Sequence, residues 1–442
     1  MSGRRHSPSE LPYAPLELMH PLLLPGPDVP GAEMVGELGD CNSATLLEIL
    51  RAVLAWSAHP EHSPALDRAA LERTEYALLL RGPDAFASPA GLLAGYMANP
   101  ETACPREVAW ACVCISDWAS ARAAPATSLQ FAQAAALAWP RHARYAWLVA
   151  RLLRVQSRLH EAEAWFRRAH RVAIWTDDWE AQASTLAGLG NLSYASGNYA
   201  RADVRLSRAL RVSRRYKLAG LEAETLHDLF VVVLMRGDRT RAEKLGAEAL
   251  SHYVALKHHR LPTLAFDFAA FWITMGHFRR VLPLLNRLQG AFSEPRAKMQ
   301  VFAATARAAG ACGNVSSFDA SWTSAWELEG DLRGATVYAP CMVDLGLGAA
   351  SLKRWDDARN ALLTGLSVAK RRKEGDMILR AESALDAVHR HEGAEIRNAR
   401  DTHEDDASNP LVATMLKALH SLVPYKHNRS DDSTRTDGMQ AP

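Results

Sequence analysis

The chain has 442 residues, enough for two or three ordinary domains or for one extended repeat array. Hydrophobic residues make up 48% and charged residues 23%, an ordinary globular composition that allows a sizeable core. Lys and Arg (51) nearly cancel Asp and Glu (49), and a net charge of +2 excludes a general field that would draw in nucleic acid or an acidic membrane, leaving only a local basic patch open.

The first 42 residues carry Pro8, Pro12, Pro15, Pro21, Pro25, Pro27 and Pro30, a density that excludes a long helix and predicts a disordered or surface-draped arm. Arg4-Arg5 precedes a short apolar stretch, Leu16 to Leu24, broken by Pro21 and lacking a small-residue cleavage site, so no signal peptide is expected. No run of eighteen apolar residues occurs, which excludes a membrane-spanning helix, and the expected compartment is the cytoplasm. Order is expected from Asn42-Ser43, an N-cap pair followed by the apolar stripe Leu46, Leu47, Leu50, Val53, Leu54. A second helix is predicted from Leu66 to Leu80, ended by Gly82-Pro83, and a short one from Pro89 to Met97, stopped by Asn99-Pro100. Residues 43–104 thus read as irregular N-terminal helices. They are too proline-interrupted, and too poor in Arg and Lys on any one helix, for a DNA-binding helix-turn-helix.

From Arg106 helices alternate with short breaks to about residue 390, and runs such as Val231-Val232-Val233 lie inside helical periodicity, not between turn signals. Residues 391–442 form a polar tail with one helical piece near 410–423. There Asn409 caps, Pro410 stands at the first helical position, and Leu411, Met415, Leu419, Leu422 and Val423 share a face. That piece reads as a capping helix for the array or as a segment that folds onto something else.

A spacing recurs between residues 141 and 372. Ala162, Ala202, Ala242, Val281, Phe318 and Ala358 follow one another at 40, 40, 39, 37 and 40 residues. Four residues further on stand Phe166, Leu206, Leu285, Trp322 and Leu362, with Gly246 the exception, and twelve residues earlier stand Ala150, Gly190, Phe230, Ala269, Ala306 and Gly346. Two helices approach closely only where side chains are small, and a larger neighbour fills the hole beside the crossing. Ser196-Gly197-Asn198, Arg236-Gly237-Asp238, Met275-Gly276-His277 and Cys312-Gly313-Asn314 supply the turns, followed by an anchoring aromatic at Tyr199, Phe278 or Trp355.

The stretch from Leu189 to Ala202, closing in Arg208-Ala209-Leu210, resembles a tetratricopeptide repeat, and six copies stand in register. A degenerate seventh precedes them, with Cys112 to Trp118 and Ser128 to Ala138 as its helices. The sequence departs from the family in its period, near 40 instead of 34, and in lacking most closing prolines, as in long-period bacterial regulators and adaptors. The resemblance implies an all-α fold over 105–390: a right-handed superhelix, or solenoid, of antiparallel helical hairpins whose first helices line a groove.

It also implies which residues face that groove: Arg144, Trp147, Arg151 and Arg154 in the first repeat, Asn191 and Tyr194 in the second, and Glu224, His227 and Asp228 in the third. Phe266, Asp267, Arg307 and Asp344 follow. The arginines around Trp147 read either as a grip for a carboxylate or phosphate or as a solvated basic face. Asp228, Asp267 and Asp344 stand at one equivalent position, and with Glu224 they read as an acidic stripe for a basic peptide or as pairs between neighbouring helices. The family's chaperone-tail clamp is disfavoured, because Ala187, Asp228 and Asp267 stand where it needs cations or an amide.

No phosphate-binding loop, GxGxxG, GxSxG or HExxH occurs. Cys41, Cys104, Cys112, Cys114, Cys312 and Cys341 have no metal spacing and read as reduced, mostly buried thiols. His258-His259 reads as a surface basic knot. Arg211 to Lys217 and Lys370 to Lys373 suit helix C-termini, and nucleic-acid contact is the minority reading. Neither an enzyme nor a cofactor is expected. The expectation is a scaffold or adaptor for a protein or peptide, the alternative a peptide- or ligand-responsive regulatory sensor.

Overall fold

The computed structural model describes residues 32–58, 72, 87–391 and 409–421. Among them every regular element is helical. The chain divides into two compact units, residues 1–236 and 237–442.

Helix begins ten residues earlier than the N-cap pair suggested. Helix α1 covers Ala32–Leu38 and α2 covers Asp40–Ala58. The cause is local: the last proline of the arm is Pro30, and the residues after it are free of it. Gly39, at φ +75°, separates the two helices. Residues 32–42, expected in the arm, are thus largely helical; residues 1–31, including the Leu16 to Leu24 segment, lie outside the described residues. So does the expected Leu66–Leu80 helix, apart from Glu72. Helix α3 (Ala87–Ala98) matches the short helix expected there.

Hairpins then follow. The first unit continues with α4 (Pro105–Ala121), α5 (Pro125–Ala138), α6 (Ala143–Val155), α7 (Leu159–Trp175), α8 (Trp179–Ala195), α9 (Tyr199–Arg215) and α10 (Ala219–Met235). Within it α4 packs on α5, α6 on α7 and α8 on α9, and each hairpin packs on the next. The second unit holds α11 (Arg239–Leu256), α12 (Leu261–Thr274), α13 (Phe278–Leu288), α14 (Pro295–Ala311), α15 (Val315–Glu327), α16 (Glu329–Leu332), α17 (Tyr338–Ser351), α18 (Trp355–Arg372), α19 (Gly375–His389) and α20 (Pro410–Ser421). There α12 pairs with α13, α14 with α15 and α17 with α18. The boundary between units falls in the turn of the third expected hairpin, α10 and α11.

The small-and-large packing rule is realised in atoms. A Cβ on Gly190 would stand 2.6 Å from Leu206 Cγ, and one on Gly346 would stand 2.6 Å from Leu362 Cγ. Each glycine is thus the socket for the leucine four residues past the small residue of its partner helix. Ala150, Ala162, Ala202, Ala306 and Ala358 are fully buried in the same scheme.

The turns repeat every twenty residues. Ser157, Asp177, Gly197, Lys217, Gly237 and Lys257 all take left-handed conformations. At Gly197 its amide donates to Tyr194 O (2.9 Å), and the amide of Asn198 donates to Ser193 O (2.8 Å), the crossed pair that satisfies the last carbonyls of a helix. The next residue opens the following helix: Asn198 Oδ1 accepts from the amide of Arg201 at 3.0 Å, as Asp178 does from Ala181 at 2.9 Å. One helix ends and the next begins within three residues. The basic runs sit where a helix dipole favours them, with Arg214 and Arg215 in the last turn of α9 and Lys370, Arg371 and Arg372 in that of α18.

The N-terminal helices share an apolar core with the first hairpin, and Glu37 adds a polar tie. Glu37 of α1 accepts from the amides of Ala126 (2.7 Å) and Thr127 (2.9 Å) and from Thr127 Oγ1 (2.8 Å). It caps α5 from another helix, placing a carboxylate at the positive end of that helix dipole.

Candidate functional site

The first helices of successive hairpins lie side by side, α6 beside α8 and α8 beside α10. Residues on their solvent-facing sides are the candidate contact surface. In α6, Arg144 and Arg151 are exposed, and Trp147 and Arg154 are half-buried. The Trp147 indole is fixed by a hydrogen bond from Nε1 to Ser184 O of α8 (3.3 Å), and the Arg151 guanidinium lies 5.4 Å from its ring centroid. This arrangement holds the planar cation on an aromatic face while its outer edge stays open to solvent. In α8, Tyr194 is 36% exposed and its ring lies 5.7 Å from that of Tyr199.

The positive field extends further than the sequence suggested. Burial lowers the pKa of His142, with the charges of Arg144 and Arg106 acting in the same direction and Asp178 against them. Arg106 is an exposed residue of α4, and one turn on from it stands Trp110, half exposed to solvent. A basic residue followed at four by an exposed tryptophan on a helix was a readable signal, but Arg106 lies before the first well-formed repeat.

The acidic stripe is not an open receptor. Asn191 Nδ2 donates to Asp228 Oδ2 at 2.8 Å in the first unit. In the second, Arg307 Nη1 and Arg380 Nη2 both donate to Asp344 Oδ1, at 2.8 and 2.6 Å. These carboxylates join neighbouring first helices, and the pairing reading replaces the stripe for Asp228 and Asp344. Asp267 and Phe266, on α12, are half-buried, as is Glu224 on α10. His227 is a correction of another kind, since it is 1% exposed. It lies on the stripe Ala223, His227, Phe230, the buried side of α10, and so faces the core.

A second polar cluster escaped the sequence reading. Glu163 of α7 accepts from Arg167 (3.0 Å), Arg205 (3.1 Å) and Arg201 (3.5 Å). Burial alone would raise the Glu163 carboxyl, but the Arg205 hydrogen bond and the three guanidinium charges outweigh it and hold the carboxyl below its ordinary range. Arg205 also donates to Leu189 O (3.0 Å) and Ser193 Oγ (2.9 Å), and it lines a cavity of about 290 Å³ with Leu159, His160, Leu192 and Asn198. The cluster ties the second helices α7 and α9 together, away from the Trp147 face.

Of the described thiols, two are buried and Cys104, Cys114 and Cys312 are half-buried. Cys112 and Cys341 are buried, and burial pushes the pKa of both well up; Cys114 is pushed up to about 11 by burial and by Asp117. Among the described residues no helix is long and apolar enough to cross a membrane.

The fold defines a class, an all-helical repeat protein of antiparallel hairpins. No protein-family model matches the chain, and no curated protein does. Solved structures do. BtubC from P. vanneervenii is similar at 18% identity and a TM-score of 0.40, over 48% of this chain and 91% of that one. A Rap protein complexed with Competence and Sporulation Factor is similar at 10% identity and a TM-score of 0.35, over 79% and 97%. The Rap conjugation gene regulator of the plasmid pLS20, in complex with the Phr* peptide, is similar at 10% identity and a TM-score of 0.37, over 78% and 96%.

Proposed function

We propose that this chain is a non-enzymatic scaffold of the tetratricopeptide type, and that it binds an acidic peptide or protein segment across the outer faces of α4, α6 and α8. The observation that carries the proposal is the state of Trp147 and Arg151. The ring is locked by Ser184, the guanidinium rests over the ring, and both remain accessible. A preorganised arginine loses less freedom when it takes a carboxylate in a bidentate grip, and the adjacent ring accepts an aromatic or apolar neighbour. Arg106, Arg144 and Arg154 add charge of the same sign. Asp228 already accepts from Asn191, and Asp344 is already paired with Arg307 and Arg380, so neither is an open receptor for a basic ligand. The ligand expected on the Trp147 face is therefore acidic.

The test is fluorescence anisotropy of the full chain against an array of acidic decapeptides with and without an aromatic residue. Peptides combining carboxylates with an aromatic should bind best, and the double substitution R144E/R151E should weaken them at least tenfold. Affinity should fall as salt rises, since the contacts are exposed charge pairs. Absence of binding across the array, or an affinity indifferent to the double substitution, overturns the proposal.

A further inference from the structure

The C-terminal helix α20 is not an end cap. The last helices of the array are α18 and α19, whereas α20 packs on α11, α12 and, most extensively, α13, the first three helices of the second unit. With twelve residues it is too short to be a stable helix in water alone, so its seat must hold it.

The fit has three parts. Asn409 Oδ1 accepts from the amides of Leu411 (2.9 Å) and Val412 (3.4 Å), with Pro410 at the first helical position, which fixes where the helix starts. Val412, Met415, Ala418 and Leu419 are buried as one stripe, at steps of three, three and one. Arg287, in the last turn of α13, donates from Nη2 to Leu419 O at 3.0 Å. That carbonyl is among the last four of α20 and has no acceptor role within its own helix, so the seat itself caps the ligand's C-terminus.

The seat lies on a short hairpin. Its second helix, α13, has 11 residues with Pro283 inside, whereas α9 has 17 and α18 has 18. The apolar stripe of α20 packs beside this shortened helix.

We propose that the surface of α11, α12 and α13 is a docking site for a short amphipathic helix, occupied in cis by residues 409–421, and that this occupant exchanges with the same segment supplied in trans. The ligand class is a helix opening on an N-cap and proline and carrying four buried apolar side chains on one face. Exchange is expected because, among the described residues, the attachment rests on that one stripe and the Arg287 contact, so docking is a local event. The site is independent of the Trp147 face, and either proposal stands without the other.

The experiment uses the full chain with a specific protease site inserted near residue 400 and, as probe, a fluorescent synthetic peptide of residues 407–425. In the uncut chain the tethered helix competes at high effective concentration, and the probe should bind weakly. Cutting should raise its apparent affinity at least tenfold, and excess unlabelled peptide should release the cleaved C-terminal fragment on gel filtration. A probe carrying Met415→Asp should not bind. As a second route that leaves the seat intact, M415D/L419D in the uncut chain should free the site, with circular dichroism confirming that the helical content of the array persists. The proposal is overturned if the probe binds cut and uncut chains equally, binds neither the cut chain nor the folded double variant, or if the fragment resists displacement at hundredfold excess.

Discussion

Replacing Gly310 by alanine should separate two closely crossing helices of the second unit, α14 and α17. A Cβ at Gly310 would lie 2.2 Å from Gly348 O and 2.8 Å from Gly348 C and Cα, all backbone atoms of α17. Side-chain rotation cannot relieve such a clash, so α14 and α17 must part by roughly 1 Å to restore van der Waals distance. Overpacking of this kind costs about 1–3 kcal/mol, and a contact with backbone belongs at the upper end. Alanine also recovers about 1 kcal/mol of helix propensity relative to glycine. The expected net loss is therefore about 2 kcal/mol. With a urea m-value of about 3 kcal/mol/M, the midpoint of the second unit's transition should drop by about 0.7 M. Gly95 in α3 is the control, because a Cβ there meets nothing within 4 Å, and G95A should stabilise by about 0.5–1 kcal/mol. A midpoint for G310A equal to or above that of the parent would refute the close crossing and the packing argument built on it.

Asp344→Asn should destabilise the second unit by about 3 kcal/mol in urea unfolding, since Arg307 would be left largely buried without its counter-charge. Asn191→Ala, at the equivalent junction of the first unit, should cost only about 1 kcal/mol, one hydrogen bond's worth. Stability should also fall on acidification through His142. Its folded pKa lies below the ordinary 6.5 because of burial, so the unfolded chain takes up the proton first. The loss begins as pH drops through about 6.5, stops once the folded imidazole also titrates, and is no steeper than about 1.4 kcal/mol per pH unit. His142→Phe, which keeps the ring between Trp139 and Tyr145, should remove that component from urea midpoints compared at pH 7.5 and 5.5. An unchanged pH dependence would refute the assignment.

The hairpins were legible in the sequence because close packing leaves a periodic imprint. Gly190 and Leu206, or Gly346 and Leu362, mark one crossing wherever it recurs. Contacts between neighbouring hairpins were not legible from equal positions, because adjacent first helices are staggered by a turn. Asn191 meets Asp228 and Arg307 meets Asp344, both 37 residues apart and not 40. Aligning Asp228, Asp267 and Asp344 as one column therefore placed like charges together and hid their real partners. His227 was misplaced for a related reason, as an inward position taken from a family pattern lost to the local apolar stripe of α10. Turns without glycine, such as those at Ser157, Asp177 and Lys217, carry no signal of their own, since a left-handed residue outside glycine is imposed by the helices on either side. The seat of α20 was invisible because no spacing in the sequence links residues 409–421 to α11, α12 and α13.

The twenty-residue beat of the left-handed turns, from Ser157 to Lys257, restricts how such a chain can change length. Loss of one beat removes a single helix and reverses the direction of everything after it, so every downstream contact meets the wrong face. Loss of two beats leaves all remaining helices running as before and requires only one new junction, between hairpins built to the same plan. Duplication or deletion within this stretch is thus quantised in steps of about forty residues, whereas smaller insertions are confined to turns such as the one that holds α16.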